Sequence, residues 1–312
     1  MRMNTTRIKS NCRRLRADVG AGDGRAFTIV ELLVVTVTVG IGLMLLAPAL
    51  ARTRPASQAV QCLNNLKQLM NAMDMYTQEH AGLFPPNPDD GNTVAYHNWV
   101  AGNAGRGGGA EFNPDILADP VRCRLTPYLG TNVSVFACSA DLRTGTYQGT
   151  DPGRYGTIVR AARSVSLNGA VGTVCPAFAA GCSGHSGIPN IPVSGTWLTG
   201  NHICAPSTWR TYGKTSDIVN PTPSSLFVLL EEDGWSINDG FFACSAGLPV
   251  WIDYPATAHN LAGVVAFADG HAELRKWVET STRLTGGRVG QRVVASNDRD
   301  WLWLKARMTA PR

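Results

Sequence analysis

Oxygen-bearing side chains are crowded into residues 231–240, EEDGWSINDG. Carboxylate and amide oxygens at this density could hold a calcium ion, with Asp233, Asn238 and Asp239 as the candidate ligands. The spacing is not that of an EF-hand loop. We therefore favour turns in which Asp and Asn side chains cap backbone groups, and Ca²⁺ is the one cofactor left open.

His259, Asp269 and His271 are residue types that could form an acid–base site. Such a site needs a nucleophile on a defined scaffold, and the chain has neither a G-x-S-x-G motif nor the context of a catalytic cysteine. Asp269-Gly270 is a dipeptide favoured in two-residue type I′ turns, which accounts for the aspartate. The sequence predicts that the protein is not an enzyme and that His259 hydrogen-bonds to a hairpin.

A single carboxylate, Glu31, lies within the apolar run AFTIVELLVVTVTVG of residues 26–40. A charge inside a bilayer span is costly, so this acid requires a partner. The apolar run continues to residue 51, and about 20 residues suffice to cross a hydrocarbon core of about 30 Å. The sequence thus predicts a membrane-spanning helix that contains one functional acid.

The net charge of the chain is concentrated before this run. Residues 1–26 contain seven Lys/Arg and two Asp, so they account for the whole net charge of +5. This asymmetry predicts a cytoplasmic N-terminus and an exported C-terminal part. The neutral remainder offers no basic, aromatic-rich surface for phosphates, which argues against nucleic-acid binding.

Simple secretion is an alternative, because Ala49-Leu50-Ala51 has the form of a signal-peptidase site. Cleavage there would leave a chain that begins at Arg52. The apolar core is longer than the about 7–15 residues of a signal peptide, and Glu31 interrupts it. We therefore favour an anchor over a cleaved signal.

Eight cysteines occur, and six of them follow residue 83. An even number in an exported domain favours disulfides. The expected pairs are Cys123–Cys138, Cys175–Cys182 and Cys204–Cys244. Zinc is the rival interpretation, because His185 and His202 lie near Cys182 and Cys204, but a C-x2-C knuckle is lacking. We assign no metal on this basis.

After residue 54 the pattern becomes amphipathic. Apolar residues recur at steps of three and four, as on one face of a helix. They are Val60, Leu63, Leu66, Met70 and Met73. Gly82, followed by two prolines, marks a helix end near His80. We expect one long helix from Phe27 to about residue 80, kinked at prolines 48 and 55.

Residues 83–220 are rich in Gly, Pro, Asn and Ser, which indicates a loop-rich insertion into a sheet domain. Strands are expected at residues 133–137, 157–161, 163–167 and 225–230. Two further strands, residues 263–268 and 271–277, flank Asp269-Gly270 and predict a β-hairpin. Trp301 and Trp303 are expected to pack an edge strand or a short helix.

The N-terminal residues resemble the start of a type IV pilin or pseudopilin precursor, in which a basic leader and a small residue precede a Phe-Thr-x-x-Glu-Leu-Leu-Val segment. Here Ala26 precedes FTIVELLV, residues 27–34, where the family prefers Gly in place of Ala26. The stretch 259–277, HNLAGVVAFADGHAELRKW, is similar to the H-x9-DG signature of large prepilin-like proteins. The residues of that motif are His259, Asp269 and Gly270.

This resemblance implies an α+β, pilin-like fold. A long N-terminal helix, its first half transmembrane, would pack on an antiparallel β-sheet domain with a loop-rich insertion. The implied divisions are a leader at 1–26, a transmembrane half at 27–51, an amphipathic half at 52–82 and an exported sheet domain at 83–312, with the hairpin at 259–277. By the same resemblance, some major pseudopilins bind calcium in a C-terminal loop.

The resemblance also implies cleavage by a prepilin peptidase between Ala26 and Phe27, followed by N-methylation of Phe27. Glu31 of one subunit would then pair with the new amine of a neighbouring subunit and set the register of assembly. The alternative for Glu31 is a carboxylate at the helix N-terminus that is satisfied by the helix dipole or that snorkels to the lipid headgroups.

The partners implied are the prepilin peptidase, other pilin-like subunits in a homo- or hetero-filament, and an inner-membrane assembly platform with its ATPase. The expected function is a structural subunit of a type II secretion-like or type IV pilus-like filament. The expected location is the inner (cytoplasmic) membrane, single-pass, with the C-terminal domain periplasmic or on the cell surface. The alternative is a membrane-anchored or secreted binding module or enzyme that uses the segment only as an anchor or signal.

Overall fold

The computed structural model describes residues 28–89, 94–130, 132–175, 188–203, 208–284, 286–287 and 290–312. In the first helix, side chains are described at residues 28–42 and 44, and again from residue 57. Two compact units divide the chain, Met1–Ala51 and Arg52–Arg312. The predicted cleavage site between Ala26 and Phe27 lies outside the described residues.

Helix α1, Ile29–Glu79, is the longest element described. It begins with a capping box: Glu31 N–H donates to Thr28 Oγ1 at 3.2 Å, and Thr28 N–H donates to the Glu31 carboxylate at 2.9 Å. After its end, Gly82 adopts a φ of +81° and its N–H donates to the Thr77 carbonyl at 2.8 Å. The other helices described are α2 (Asp115–Ala118), α3 (Thr126–Leu129) and α4 (Arg299–Met308).

The predicted fold class is wrong in its membrane-spanning half. No helix among the described residues is long and apolar enough to cross a membrane. Glu31, a charged residue, lies near the start of helix α1. The same finding overturns the predicted single-pass placement in the inner membrane.

The second unit is built around β-strands. In chain order, the strands described are β1 (Thr144–Thr146), β2 (Ile158–Arg160), β3 (Val165–Asn168), β4 (Thr173–Val174), β5 (Ile191–Pro192), β6 (Phe227–Glu231), β7 (Phe241–Phe242), β8 (Val250–Trp251), β9 (Ala262–Phe267), β10 (Ala272–Lys276) and β11 (Arg292–Val293). The main sheet has the order β10-β9-β6-β3-β7. Its neighbours are antiparallel except for β3 and β7, which are parallel. The pairs β1-β2, β4-β5 and β8-β11 form small antiparallel ribbons.

One apolar core includes helix α1, the main sheet and helix α4. Every residue of β6 and β9 is buried, as expected for continuous apolar runs in a sheet covered on both faces. Helix α1 contributes Leu66, Leu69 and Met73, none of them more than 1% exposed. Helix α4 adds Trp301 and Leu304 to the same core.

Two local predictions differ from the structure. The hairpin turn between β9 and β10 is not type I′, because Gly270 has a φ of +89° whereas Asp269 does not have a positive φ. Gly270 N–H donates to the Phe267 carbonyl at 2.9 Å, as in a three-residue loop with glycine in the left-handed position. Residues 133–136, expected in a strand, form a 3₁₀ turn that directs Val135 and Phe136 into the core.

Asn168 joins strands β3 and β6 to helix α4. Its Nδ2 donates to the carbonyls of Phe227 and Met308, at 2.8 and 3.0 Å, and its Oδ1 accepts from Ala170 N–H at 2.9 Å. Asn168→Ala would leave these buried backbone groups without partners, so we expect the free energy of unfolding to fall by about 2–4 kcal/mol. Urea denaturation followed by tryptophan fluorescence measures this loss. The exposed Asn190→Ala control should change by less than about 0.5 kcal/mol, and equal effects of the two variants would contradict the prediction.

Candidate functional site

Two cysteines, a histidine and a glutamate meet inside the second unit. The ligand atoms of Cys62, Cys138, Glu231 and His259 all lie within 4.8 Å of one another. None of the four residues is more than 4% exposed. This Cys–Cys–Glu–His cluster is therefore a buried concentration of polar and ionisable groups, and such groups require mutual compensation.

Each member of the cluster comes from a different element. Cys62 lies on the buried face of α1, Cys138 follows the 3₁₀ turn Val133–Phe136, Glu231 ends strand β6 and His259 precedes strand β9. Because these elements are packed in one core, their side chains converge although they are far apart in sequence.

The segment that carries Cys138 is fastened to helix α1 by paired hydrogen bonds. Ser139 Oγ donates to the Gln58 carbonyl, and Gln58 Nε2 donates to the Ser139 carbonyl, both at 3.2 Å. Asn65 Nδ2 adds a third bond, to the Ala137 carbonyl at 3.4 Å. These contacts hold Cys138 opposite Cys62.

His259 connects the sulfur atoms to the carboxylate. Its Nε2 lies 3.2 Å from Cys138 Sγ and 3.2 Å from Glu231 Oε2. The sulfur atoms of Cys62 and Cys138 are also 3.2 Å apart. His259 Nδ1 has no hydrogen-bond partner among the described residues. The described polar contacts of the ring therefore converge on one nitrogen.

The pKa shifts in the cluster follow from these contacts. A hydrogen bond from Cys138 lowers the pKa of Cys62 to about 3 against the effect of burial, with further help from His259 and Ser139. The contact with Cys62, together with burial, raises the pKa of Cys138. Burial acts to lower the pKa of His259, but bonds to Cys62 and Glu231 raise it to about 10. Burial also raises the pKa of Glu231.

This geometry does not form a nucleophile–base–acid relay. In such a relay the acid contacts the ring nitrogen opposite the one that faces the nucleophile. Here Cys138 and Glu231 both face Nε2 of His259. Buried cysteines of this kind behave as structural groups, whereas converging S, N and O atoms are suited to holding a metal ion.

The residues of the H-x9-DG motif are not brought together. His259 precedes β9, whereas Asp269 and Gly270 lie in the turn after it. Asp269 Oδ1 accepts from His271 N–H at 3.2 Å and contacts His271 Nδ1 at 2.5 Å. The acid–base set of His259, Asp269 and His271 is therefore not assembled. His259 contacts the hairpin through its backbone, with its N–H donating to the Ala262 carbonyl at 3.0 Å.

The predicted Cys123–Cys138 disulfide is wrong, because both residues are free thiols. Cys138 faces Cys62 instead, as a result of the bonds between residue 139 and helix α1. Two predicted pairs have one member, Cys182 or Cys204, outside the described residues. They stay predictions: Cys175–Cys182 and Cys204–Cys244.

The calcium candidates are used in backbone turns. Asp233 Oδ1 accepts from Trp235 N–H, and Asp239 Oδ1 accepts from Phe241 N–H, each at 2.8 Å. Asn238 Nδ2 donates to Asp239 Oδ2 at 3.1 Å. Bonds of an Asp side chain to an N–H two residues on stabilise turns. In the part of the chain that is described, neither Asp233 nor Asp239 belongs to a group of three or more His, Cys, Asp or Glu ligand atoms within 4.8 Å.

A cleft of about 730 Å³ borders Cys138 and has a charged wall. Arg143 in this wall donates from Nη2 to Asp141 and to the Arg163 carbonyl, both at 2.8 Å, and from Nη1 to the Ala104 carbonyl at 3.0 Å. Its Nε also donates to Asp141. All three guanidinium nitrogens thus contact protein acceptors, and this network shapes the wall.

Sequence reasoning missed the Cys–Cys–Glu–His cluster because no short spacing links its members. Cys62 and Cys138 are separated by 76 positions, and Glu231 and His259 by 28. The sequence offered two clues: Cys62, a cysteine without an assigned partner on an amphipathic helix, and His259, the histidine of the H-x9-DG motif.

No family model, curated protein or solved structure matches the chain. The resemblance to pilin precursors therefore depends on the two stretches of sequence that carry it, residues 26–34 and 259–277.

Asp253 shares a cavity of about 290 Å³ with Asp89 and Asp239. Burial, followed by the negative charges of Glu232, Asp239 and Asp89, raises the pKa of Asp253 well above its usual range. Folding then favours the protonated acid, so stability falls as pH rises above the unfolded pKa of about 4. We expect Asp253→Asn to remove this loss and to stabilise the protein more at about pH 8 than at about pH 4.

Urea denaturation at the two pH values measures the effect of Asp253→Asn. The matched control is Asp74→Asn at an exposed position of helix α1. Its effect on the unfolding free energy should differ less between about pH 4 and about pH 8 than the effect of Asp253→Asn. A change in unfolding free energy that is equal at both pH values for Asp253→Asn would contradict the prediction.

Proposed function

We propose that this chain is a pilin-like structural subunit that assembles with further copies through the first part of helix α1. The observation that supports this most directly is the exposed apolar surface of residues 29–41. Ile29, Val30 and Leu32 are 84%, 70% and 59% exposed. The remaining Val, Leu and Ile side chains up to residue 41 are each at least 50% exposed.

A helix that is apolar on all sides is stable only where something covers it. The polar groups of this stretch are satisfied within the helix: Thr36 Oγ1 donates to the Leu33 carbonyl and Thr38 Oγ1 to the Val34 carbonyl, both at 2.9 Å. Gly40 and Gly42 leave open space beside the backbone, where a neighbouring helix can approach closely. Identical helices packed side by side would bury this surface.

Glu31 is the charged group on the described part of this surface. Hydrogen bonds from the backbone N–H and the hydroxyl of Thr28 lower the pKa of Glu31, so it is ionised at neutral pH. In the proposed filament, cleavage before Phe27 by a prepilin peptidase gives each subunit a new amine. Glu31 of one subunit then pairs with the amine of the next, which makes an otherwise unfavourable buried charge tolerable.

The capping and pairing roles of Glu31 make different demands. Capping needs an acceptor oxygen that reaches Thr28 N–H, whereas pairing with an amine needs a negative charge. Assembly would further require other pilin-like subunits and an assembly platform with its ATPase, as in type II secretion-like or type IV pilus-like systems.

Glu31→Gln separates the two roles, because glutamine keeps the acceptor oxygen of a capping box and loses the charge. We expect this variant to fold normally and to form filaments at a level roughly tenfold or more below wild type, since an unpaired amine remains at each interface. The measurement is the yield of sheared filaments, by electron microscopy and sedimentation, from cells that also produce the prepilin peptidase and the assembly proteins.

Thr28→Val is the matched control, because it removes the capping hydroxyl and keeps the charge. It should lower helix content at the start of α1 and still give filaments. Wild-type filament yield from Glu31→Gln would overturn the pairing role, and an absence of filaments from the wild-type chain would overturn the proposed function itself.

A further inference from the structure

We propose that Cys62, Cys138, Glu231 and His259 form a structural zinc site that fastens helix α1 to the main sheet. This inference is independent of the filament proposal. It also differs from the zinc set considered from the sequence, which involved His185 and His202.

The distances within the cluster fit a tetrahedral zinc ion. Zinc binds cysteine sulfur at about 2.3 Å and histidine nitrogen or carboxylate oxygen at about 2.0–2.2 Å, so tetrahedral ligand atoms lie about 3.3–3.8 Å apart. The three 3.2 Å contacts of the cluster are within about 0.6 Å of these values. The most distant ligand atoms are no more than 4.8 Å apart. Small side-chain rotations would therefore complete the coordination.

Backbone donors point at both sulfur atoms. Ser139 N–H donates to Cys62 Sγ and Ala140 N–H donates to Cys138 Sγ, both at 3.3 Å. Such bonds stabilise thiolates, which are the form of cysteine that binds metal. Glu231 Oε2 is oriented in the same way by Val264 N–H, at 2.9 Å. Three of the four ligands are thus held by outer hydrogen bonds of the kind found around metal sites.

Zinc binding would change the charge of the cluster. In the metal-bound state both cysteines would be thiolates and His259 would be neutral, so the four ligands would carry three negative charges. Burying them without compensation is strongly unfavourable. A divalent ion supplies two positive charges, and the Arg160 guanidinium supplies another nearby, with Nη2 donating to the Cys138 carbonyl at 3.2 Å.

The ligand types select zinc and a structural role. Calcium and magnesium take oxygen ligands, whereas two sulfur atoms with an imidazole suit zinc. The four protein ligands fill a tetrahedron, so no coordination position stays open for a substrate. His259 Nδ1 lacks a hydrogen-bond partner in the described part of the chain, so the outer acceptor that usually orients a zinc-bound histidine is not among the described residues.

A zinc ion at this point would link four elements of the fold and give the motif histidine a role. Cys62 belongs to helix α1, Glu231 to strand β6, and His259 leads into the β9–β10 hairpin. Ligation of His259 would tie the start of that hairpin to the helix. Metal binding of this kind contributes directly to folding stability.

The test is the metal content of the full-length chain. Protein exposed to Zn²⁺ and then dialysed should retain about one zinc per chain by elemental analysis. Replacement with Co²⁺ should give the visible d–d bands of a tetrahedral ion and a sulfur-to-cobalt charge-transfer band. Removal of zinc with a chelator should lower the thermal unfolding midpoint.

Cys62→Ala and Cys138→Ala should each weaken zinc binding by more than about 100-fold, since changes to outer hydrogen bonds alone cost about 10–100-fold. Glu231→Gln preserves the shape of the side chain. It therefore serves as the test variant if the alanine variants fail to fold. Cys244→Ala is the matched control: this cysteine is 2% exposed and lies outside the cluster. It should keep the full zinc content.

Three results would overturn the site. The first is a folded wild-type chain that retains no zinc, or that retains iron or copper in its place. The second is a disulfide between Cys62 and Cys138, seen as a mass about 2 Da below that of the reduced chain. The third is full zinc content in the Cys62→Ala or the Glu231→Gln variant, which would place the ion elsewhere.

Discussion

Helix α1 has more apolar surface than a single chain covers. Between residue 57 and Glu79 its buried face belongs to the same core as strands β6 and β9. Between residues 29 and 41 the aliphatic side chains are at least half exposed. Removing apolar area from water contributes about 25 cal/mol per Å², so the later part of the helix stabilises the domain and the earlier part favours association. The proposed filament is the arrangement in which both parts are buried.

The Cys–Cys–Glu–His cluster lies on the buried side of the same helix. A polar cluster within an apolar core is favourable only if every member is satisfied, and the low dielectric makes an incomplete set costly. Backbone N–H groups engage both sulfurs and the carboxylate. A bound ion would compensate the charge of its ligands and hold helix and sheet in one position.

Local patterns predicted the elements that depend on local sequence. Strands β3, β6, β9 and β10 lie within about two residues of their predicted positions, because continuous apolar runs and turn residues are readable in short windows. The predicted apolar face of helix α1 was partly right: Leu66 and Met70 are buried, whereas Val60 is 57% exposed. The Asp-Gly turn was assigned to the wrong type, since that dipeptide fits more than one loop length.

Contacts between residues far apart in the sequence could not be predicted from short sequence patterns. The Cys–Cys–Glu–His cluster depends on which strands neighbour one another, and short patterns do not encode that order. The disulfide expected from loop closure was wrong because residue 139 is bonded to helix α1, which turns Cys138 toward Cys62. The capping box of Thr28 and Glu31, by contrast, is a local feature of residues three apart, and it satisfies the carboxylate at the helix N-terminus, the alternative that the sequence had offered for Glu31.

The intact mass and N-terminal sequence of the chain, produced together with a prepilin peptidase, test the filament-subunit account most directly. The account predicts a mature chain that begins with N-methylated Phe27, because this amine is the partner that Glu31 requires in assembly. A chain that retains residues 1–26, or one that begins at Arg52, would contradict it.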